Sequence, residues 1–185
     1  MEKEKNMPYF HRKQLRLPHY DYSTPGCYFI TICTKDRKCM LSRISVGAGV
    51  LDGPEITLAE YGWIAEKILL EIEHFYPWLT IDNYVIMPNH VHILLRITDE
   101  GPSRTPAPTA GGNEGPSRTP APTAEKVPAF VSTWKRRIGR EIGSNIWQRG
   151  YYEHIVRDEA DFQMIWKYIQ DNPAKWTQDR YYMDL

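Results

Sequence analysis

The chain alternates between hydrophobic patterns of period two and period 3.6, and each pattern marks an element. "CYFITICT" (Cys27–Thr34) is β-branched and aromatic and follows the turn signal "STPG", so it predicts a strand. In "TLAEYGWIAEKILLEIEHF" the apolar positions Leu58, Tyr61, Ile64, Ala65, Ile68, Ile72 and Phe75 recur at helical spacing, which predicts a helix over 57–75. Thr57 and Glu60 have the spacing of a capping box at its start. "TIDNYVIM" and "HVHILLRI" read as two strands joined at Pro88-Asn89. "VPAFVSTWKRRIGREIG" puts Phe130, Trp134 and Ile138 on one helical stripe, with basic residues beside it. "YYEHIVR" is expected to be a fourth strand. "DEADFQMIWKYIQDN" is expected to be a last helix, with Asp158 as N-cap and Pro173 as stop. The order β-α-β-β-α-β plus a terminal helix predicts an α+β fold with a ferredoxin-like, split β-α-β antiparallel sheet.

One stretch lies outside this periodicity. "EGPSRTPAPTA" occurs at Glu100–Ala110 and again at Glu114–Ala124, separated by "GGN". Proline locks φ and removes a donor, and these residues offer nothing large to bury, so a linker or surface loop is expected at about 99–125. The whole of 1–185 is expected to be a single domain around it.

Composition changes the picture in two respects. The 23 basic and 23 acidic residues cancel, so the molecule as a whole has no strong field for a polyanion, and any nucleic-acid surface must be local. Two windows supply one: His11–Arg43 has seven basic residues against two acidic, and Lys126–Arg149 has six against one. Cys27, Cys33 and Cys39 are odd in number and lack a C-x-x-C pair, which fits a reducing compartment and excludes a zinc ribbon. With no run of about 18 apolar residues, a cytoplasmic protein without a membrane partner is expected.

The candidate chemistry sits at "NHVHILL". His90 and His92 are two apart on a strand, so both side chains point to one face while Val91 and Ile93 point to the other. Two such imidazoles can converge on one ion, although two half-buried strand histidines would show the same pattern. In the last helix Phe162, Ile165, Trp166 and Ile169 form the buried stripe, and Tyr168 and Asn172 stand one turn apart at its edge. A carboxamide oxygen can complete a two-imidazole site for a hard divalent ion, beside a phenol able to attack what the ion holds. Tyr151, Tyr152 and Tyr84 compete for the nucleophile role, and His154 is a further candidate.

"RLPHYDYSTPGCYFITICT", "YVIMPNHVHILL", "IWQRGYYEHIVRDEADF" and "YIQDNPAKW", in this order, resemble the single-tyrosine HUH transposases, and among them the REP-associated tyrosine transposases. The resemblance implies that His90 and His92 are metal ligands, Asn172 the third ligand and Tyr168 the nucleophile. Related enzymes commonly carry Gln at the last ligand position, so Asn is a shorter arm bearing the same oxygen. It further implies Mg²⁺ or Mn²⁺ as cofactor, and single-stranded DNA with palindromic-repeat hairpins as partner, at the nucleoid. Attack on a phosphodiester would give a 5′-phosphotyrosine and a free 3′-OH. Basic residues interleaved with aromatics make Arg12, Lys13, Arg16, Lys135, Arg136, Arg137 and Arg149 the expected DNA contacts, with Trp134 and Trp147 as either stacking platforms or core. Monomer and homodimer stay open, as does a non-catalytic, domesticated DNA-binding protein of the same fold. A replication or plasmid-transfer nickase is disfavoured by the short chain.

Overall fold

The computed structural model describes residues 24–45, 53–72, 74–99 and 126–183. The duplicated proline-rich segment and Arg12, Lys13 and Arg16 lie outside the described residues. Among the described residues, six strands and three α-helices follow one another. They are β1 (Gly26–Cys33), β2 (Ser42–Ser45), β3 (Glu55–Leu58), α1 (Glu60–Ile72), β4 (Leu79–Ile86), β5 (His90–Ile97), α2 (Lys126–Ile142), β6 (Tyr152–Ile155) and α3 (Glu159–Asp171). A 3-10 segment, Pro173–Gln178, continues beyond α3.

The main sheet has the order β4-β5-β1-β6, with every neighbouring pair antiparallel. β1 and β4 are thus split by β5, the ferredoxin-like arrangement that the element order predicts, in an α+β molecule. β5 is central and is buried on both faces along nearly its whole length. One face carries Tyr28, Ile30, Ile32, Val91, Ile93 and Leu95, which pack against α1 and α2. The other face carries Phe29, Val85 and Leu94, which pack against Ile165 and Ile169 of α3. The alternation along β5 therefore sends His90 and His92 to the α3 face.

Two expectations are corrected, and one open alternative is decided. The first helix begins at Glu60 rather than Thr57, because Thr57 belongs to β3 and pairs with Arg43 of β2, so no capping box forms. The β2–β3 hairpin holds this entry: Ala59 N–H donates to Leu41 O at 2.8 Å. Gly62 is required beneath it, since a Cβ there would lie 2.0 Å from Leu41 O. The helix also ends at Ile72, leaving Phe75 64% exposed under the Arg137 guanidinium. Trp134 and Trp147 are both buried, with ring centroids 4.8 Å apart, and Trp134 Nε1–H donates to Ala65 O, so neither offers a face to a base. Asp158 caps α3 as expected, its carboxylate accepting from Asp161 N–H at 2.9 Å.

Candidate metal and nucleophile site

The Pro88-Asn89 turn between β4 and β5 is tied into the core. Pro88 O accepts from Met40 and Leu41 N–H, and Asn89 O accepts from Thr34 N–H. The Asn89 amide nitrogen donates to two carbonyls, Arg37 O at 3.2 Å and Tyr181 O at 2.8 Å. Its Oδ1 therefore faces His90 Nδ1, 2.8 Å away, as an acceptor. This puts the His90 proton on Nδ1 and leaves the Nε2 lone pair bare. His92 Nδ1 lies 2.8 Å from the hydroxyl of Thr31, its cross-strand partner on β1. That hydroxyl rotates to serve either tautomer of His92.

The two Nε2 atoms are 3.1 Å apart. At metal–nitrogen bonds of about 2.1 Å, two ligands at a right angle would be separated by about 3.0 Å, so the pair is spaced to share one ion. Burial, together with the positive charges of Arg180 and Arg37, lowers the pKa of His90 to about 3. Burial, then His90 and Arg180, push His92 well below its ordinary value. Both rings are neutral at physiological pH, the state a metal ligand requires.

α3 supplies the other two expected residues. Tyr168 Oη lies 3.4 Å from His92 Nε2, and its ring stands edge-on to Phe29. Tyr168 is 41% exposed, so its hydroxyl joins the histidines to solvent. Burial and the Asp179 charge raise its pKa, against lowering by a hydrogen bond from Asn172 and by Arg180, so the phenol is neutral at pH 7. Asn172, one turn on, is 3% exposed, and its Oδ1 is buried without a hydrogen-bond partner. A buried acceptor with nothing to accept from is costly in a protein alone and is relieved by a cation. The donor set of two imidazole nitrogens and a carboxamide oxygen thus fits a divalent ion.

The segment after α3 closes over this site with residues the sequence pattern did not single out. The Tyr181 ring packs 4.7 Å from the His90 ring. The Asp179 carboxylate, His90 and His92 present ligand-type atoms within 4.8 Å of one another. Exposed Arg180 lies over the rings of Tyr181 and Tyr152 at 4.5 and 5.2 Å. Only the C-terminal placement of "DRYY" near "NPAKW" could have hinted at these residues, and nothing in their spacing does.

The competing candidates fall elsewhere. Tyr152 pairs with Thr31 across β1 and β6, which puts it on the histidine face at 37% exposure, whereas Tyr151 packs against the opposite core beneath Lys135. Tyr84 is half-buried and donates to Glu66. His154 Nε2 lies 2.8 Å from Asp161 Oδ2, bracing β6 against α3.

The expected DNA contacts of the second basic window differ in their partners, and Lys135 borders the same groove as Arg136 and Arg149. Arg137 is held by Glu71 at 2.7 Å. Lys135 donates to the carbonyls of Gln148 and Gly150, and burial lowers its pKa to about 8. Arg136 and Arg149, joined by Arg140, line a groove of about 630 Å³ between α2 and the 143–151 loop, on the side of the sheet away from the histidines.

Fold and site together are a split antiparallel sheet that brings two buried histidines and a tyrosine to one face. No family model matches the chain. It is 35% identical over 179 residues, 94% of each chain, to an uncharacterised protein of Haemophilus influenzae. It is 22% identical over 155 residues to a second Haemophilus influenzae protein named "Putative REP-associated tyrosine transposase", covering 84% of this chain and 74% of that one. The fold matches a solved REP-associated tyrosine transposase bound to a REP hairpin, with a TM-score of 0.50 at 18% identity, over 81% of this chain and 67% of that one. The chain thus shares its fold with a REP-associated tyrosine transposase.

Proposed function

We propose that the protein cleaves and rejoins single-stranded DNA at hairpin-bearing repeats, with Tyr168 as nucleophile and a divalent ion, Mg²⁺ or Mn²⁺, held by His90, His92 and Asn172. The observation that carries this reading is the Tyr168 hydroxyl 3.4 Å from one of two histidine nitrogens that are themselves 3.1 Å apart, beside the unpartnered Asn172 oxygen. When bound, the ion neutralises charge developing on the non-bridging phosphate oxygens.

Tyr168 Oη forms a bond to phosphorus while the P–O3′ bond breaks. The electron pair leaves on O3′, which takes a proton from solvent to end as a hydroxyl, while the phenolic proton passes to solvent. The phosphodiester is conserved as a 5′-phosphotyrosine, from which a 3′-OH can rejoin the strand. Asn89 holds His90 in the ligand tautomer, Thr31 anchors the His92 ring at Nδ1, and the Phe29 ring stands edge-on to the phenol.

The test is a covalent adduct assay on a single strand containing a palindromic repeat, with Mn²⁺ or Mg²⁺. Wild type is expected to form the adduct. Tyr168→Phe, His90→Ala and His92→Ala are expected to lose it. An adduct undiminished in Tyr168→Phe assigns the nucleophile elsewhere, with Tyr152 the next candidate on the same face. A second reading, a DNA-binding protein without catalysis, is favoured by the arginine groove, which is remote from the histidines. It predicts salt-sensitive hairpin binding by wild type with no adduct.

A further inference from the structure

We infer that Asp179 is an additional, anionic ligand of the metal, so that the segment following α3 completes the centre. The inference rests on the metal reading above and extends it to a residue outside the expected ligand set. Two neutral imidazoles and a carboxamide carry no charge, and Arg180 and Arg37 add positive charge nearby. A divalent ion in that setting would be held by dipoles alone, at a large desolvation cost. Among the described residues, Asp179 is the acid grouped with both histidines, its carboxylate and their nitrogens within 4.8 Å of one another. At bonds of about 2.1 Å, opposite ligands are about 4.2 Å apart and adjacent ones about 3.0 Å, so a shift on the order of an ångström, within reach of a side-chain rotation, brings all three onto one ion.

The carboxylate is oriented for this. Asp179 Oδ1 accepts from Tyr181 N–H at 2.6 Å, and Asp179 N–H donates to Trp176 O, which fixes the turn. A carboxylate has about four lone-pair positions, and the amide uses one. The support around His90 already reaches this turn, since the same Asn89 amide that orients His90 donates to Tyr181 O. An independent sign of a cation is the Asn172 Oδ1, buried and unpartnered. Together the donors are two nitrogens and two oxygens, one charged, a mixed set whose oxygens suit Mg²⁺ and Mn²⁺ and whose imidazoles favour Mn²⁺ of the two.

Mn²⁺ is titrated into the full chain without DNA, following the free-ion signal by electron paramagnetic resonance. Asp179→Asn is the informative variant because its side-chain oxygen still accepts from Tyr181 N–H, so the turn survives and the ligand charge is removed. It should raise the Kd for Mn²⁺ by about tenfold or more, with unchanged thermal unfolding in the absence of metal. Asp179→Glu should recover part of the loss. His92→Ala is the reference variant and should lose binding. If Asp179→Asn binds as wild type does while His92→Ala fails, Asp179 is not a ligand and the histidine site stands. If wild type itself does not bind Mn²⁺, both this inference and the metal reading fall.

Discussion

At the scale of the residue, Asn89 connects the most parts of the site. One amide orients His90 through Oδ1 and ties down two carbonyls from distant segments through Nδ2. Asn89→Ala leaves those carbonyls and His90 Nδ1 without partners in a buried place, so it should cost about 1–3 kcal/mol in denaturant unfolding. It should also weaken Mn²⁺ binding by about 10–100-fold if the ring it orients is the ligand proposed above. The histidines carry a pH signature. Folded, they resist protonation, whereas in the unfolded chain they protonate near 6.5. Below that value the unfolded state binds more protons, so the stability they contribute is present above pH 6.5 and lost as pH falls toward about 3. Melts of metal-free protein between pH 7 and 4.5 should show a steeper loss for wild type than for a His90→Asn/His92→Asn double variant. A parallel pH dependence in the two would remove the histidines as its source.

At the scale of the element, the β2–β3 hairpin decides where α1 begins. The pattern from Thr57 onward reads as a continuous helix because Thr57 and Glu60 carry cap spacing. Pairing with β2 is a non-local gain that a local pattern does not contain, and it takes Thr57 into a strand. Gly62 records that contact: Gly62→Ala would drive a Cβ into Leu41 O and should destabilise by about 1–3 kcal/mol, read as a lowered Tm. The cap that does form is legible because it is local: Asp158→Ala should cost about 1 kcal/mol by the same measurement.

At the scale of the whole molecule, the sheet separates two jobs. The histidines, Tyr168 and the Asp179–Tyr181 turn occupy the α3 face, and the arginine groove lies on the side of α2. If the groove receives phosphates, Arg136→Ala, Arg140→Ala and Arg149→Ala should each weaken hairpin binding and lower the slope of log Kd against log salt by about 0.7–0.9. Arg137→Ala should change that slope little, because Arg137 is already neutralised by Glu71. Fluorescence anisotropy of a labelled hairpin across a salt series measures both.

The amino-acid pattern by itself determined the order of the four main-sheet strands and the three helices, the shared face of His90 and His92, and the one-turn pairing of Tyr168 with Asn172. All of these follow from periodicities of two and 3.6 that act within a few residues. Only the tertiary structure decided that Tyr152 rather than Tyr151 faces the histidines, that Trp134 and Trp147 are core, and that Asp179 comes beside the imidazoles. These depend on strand register and on how the segment after α3 folds back onto the sheet. Such contacts join residues far apart in the chain, and their energies leave no periodic mark on either partner.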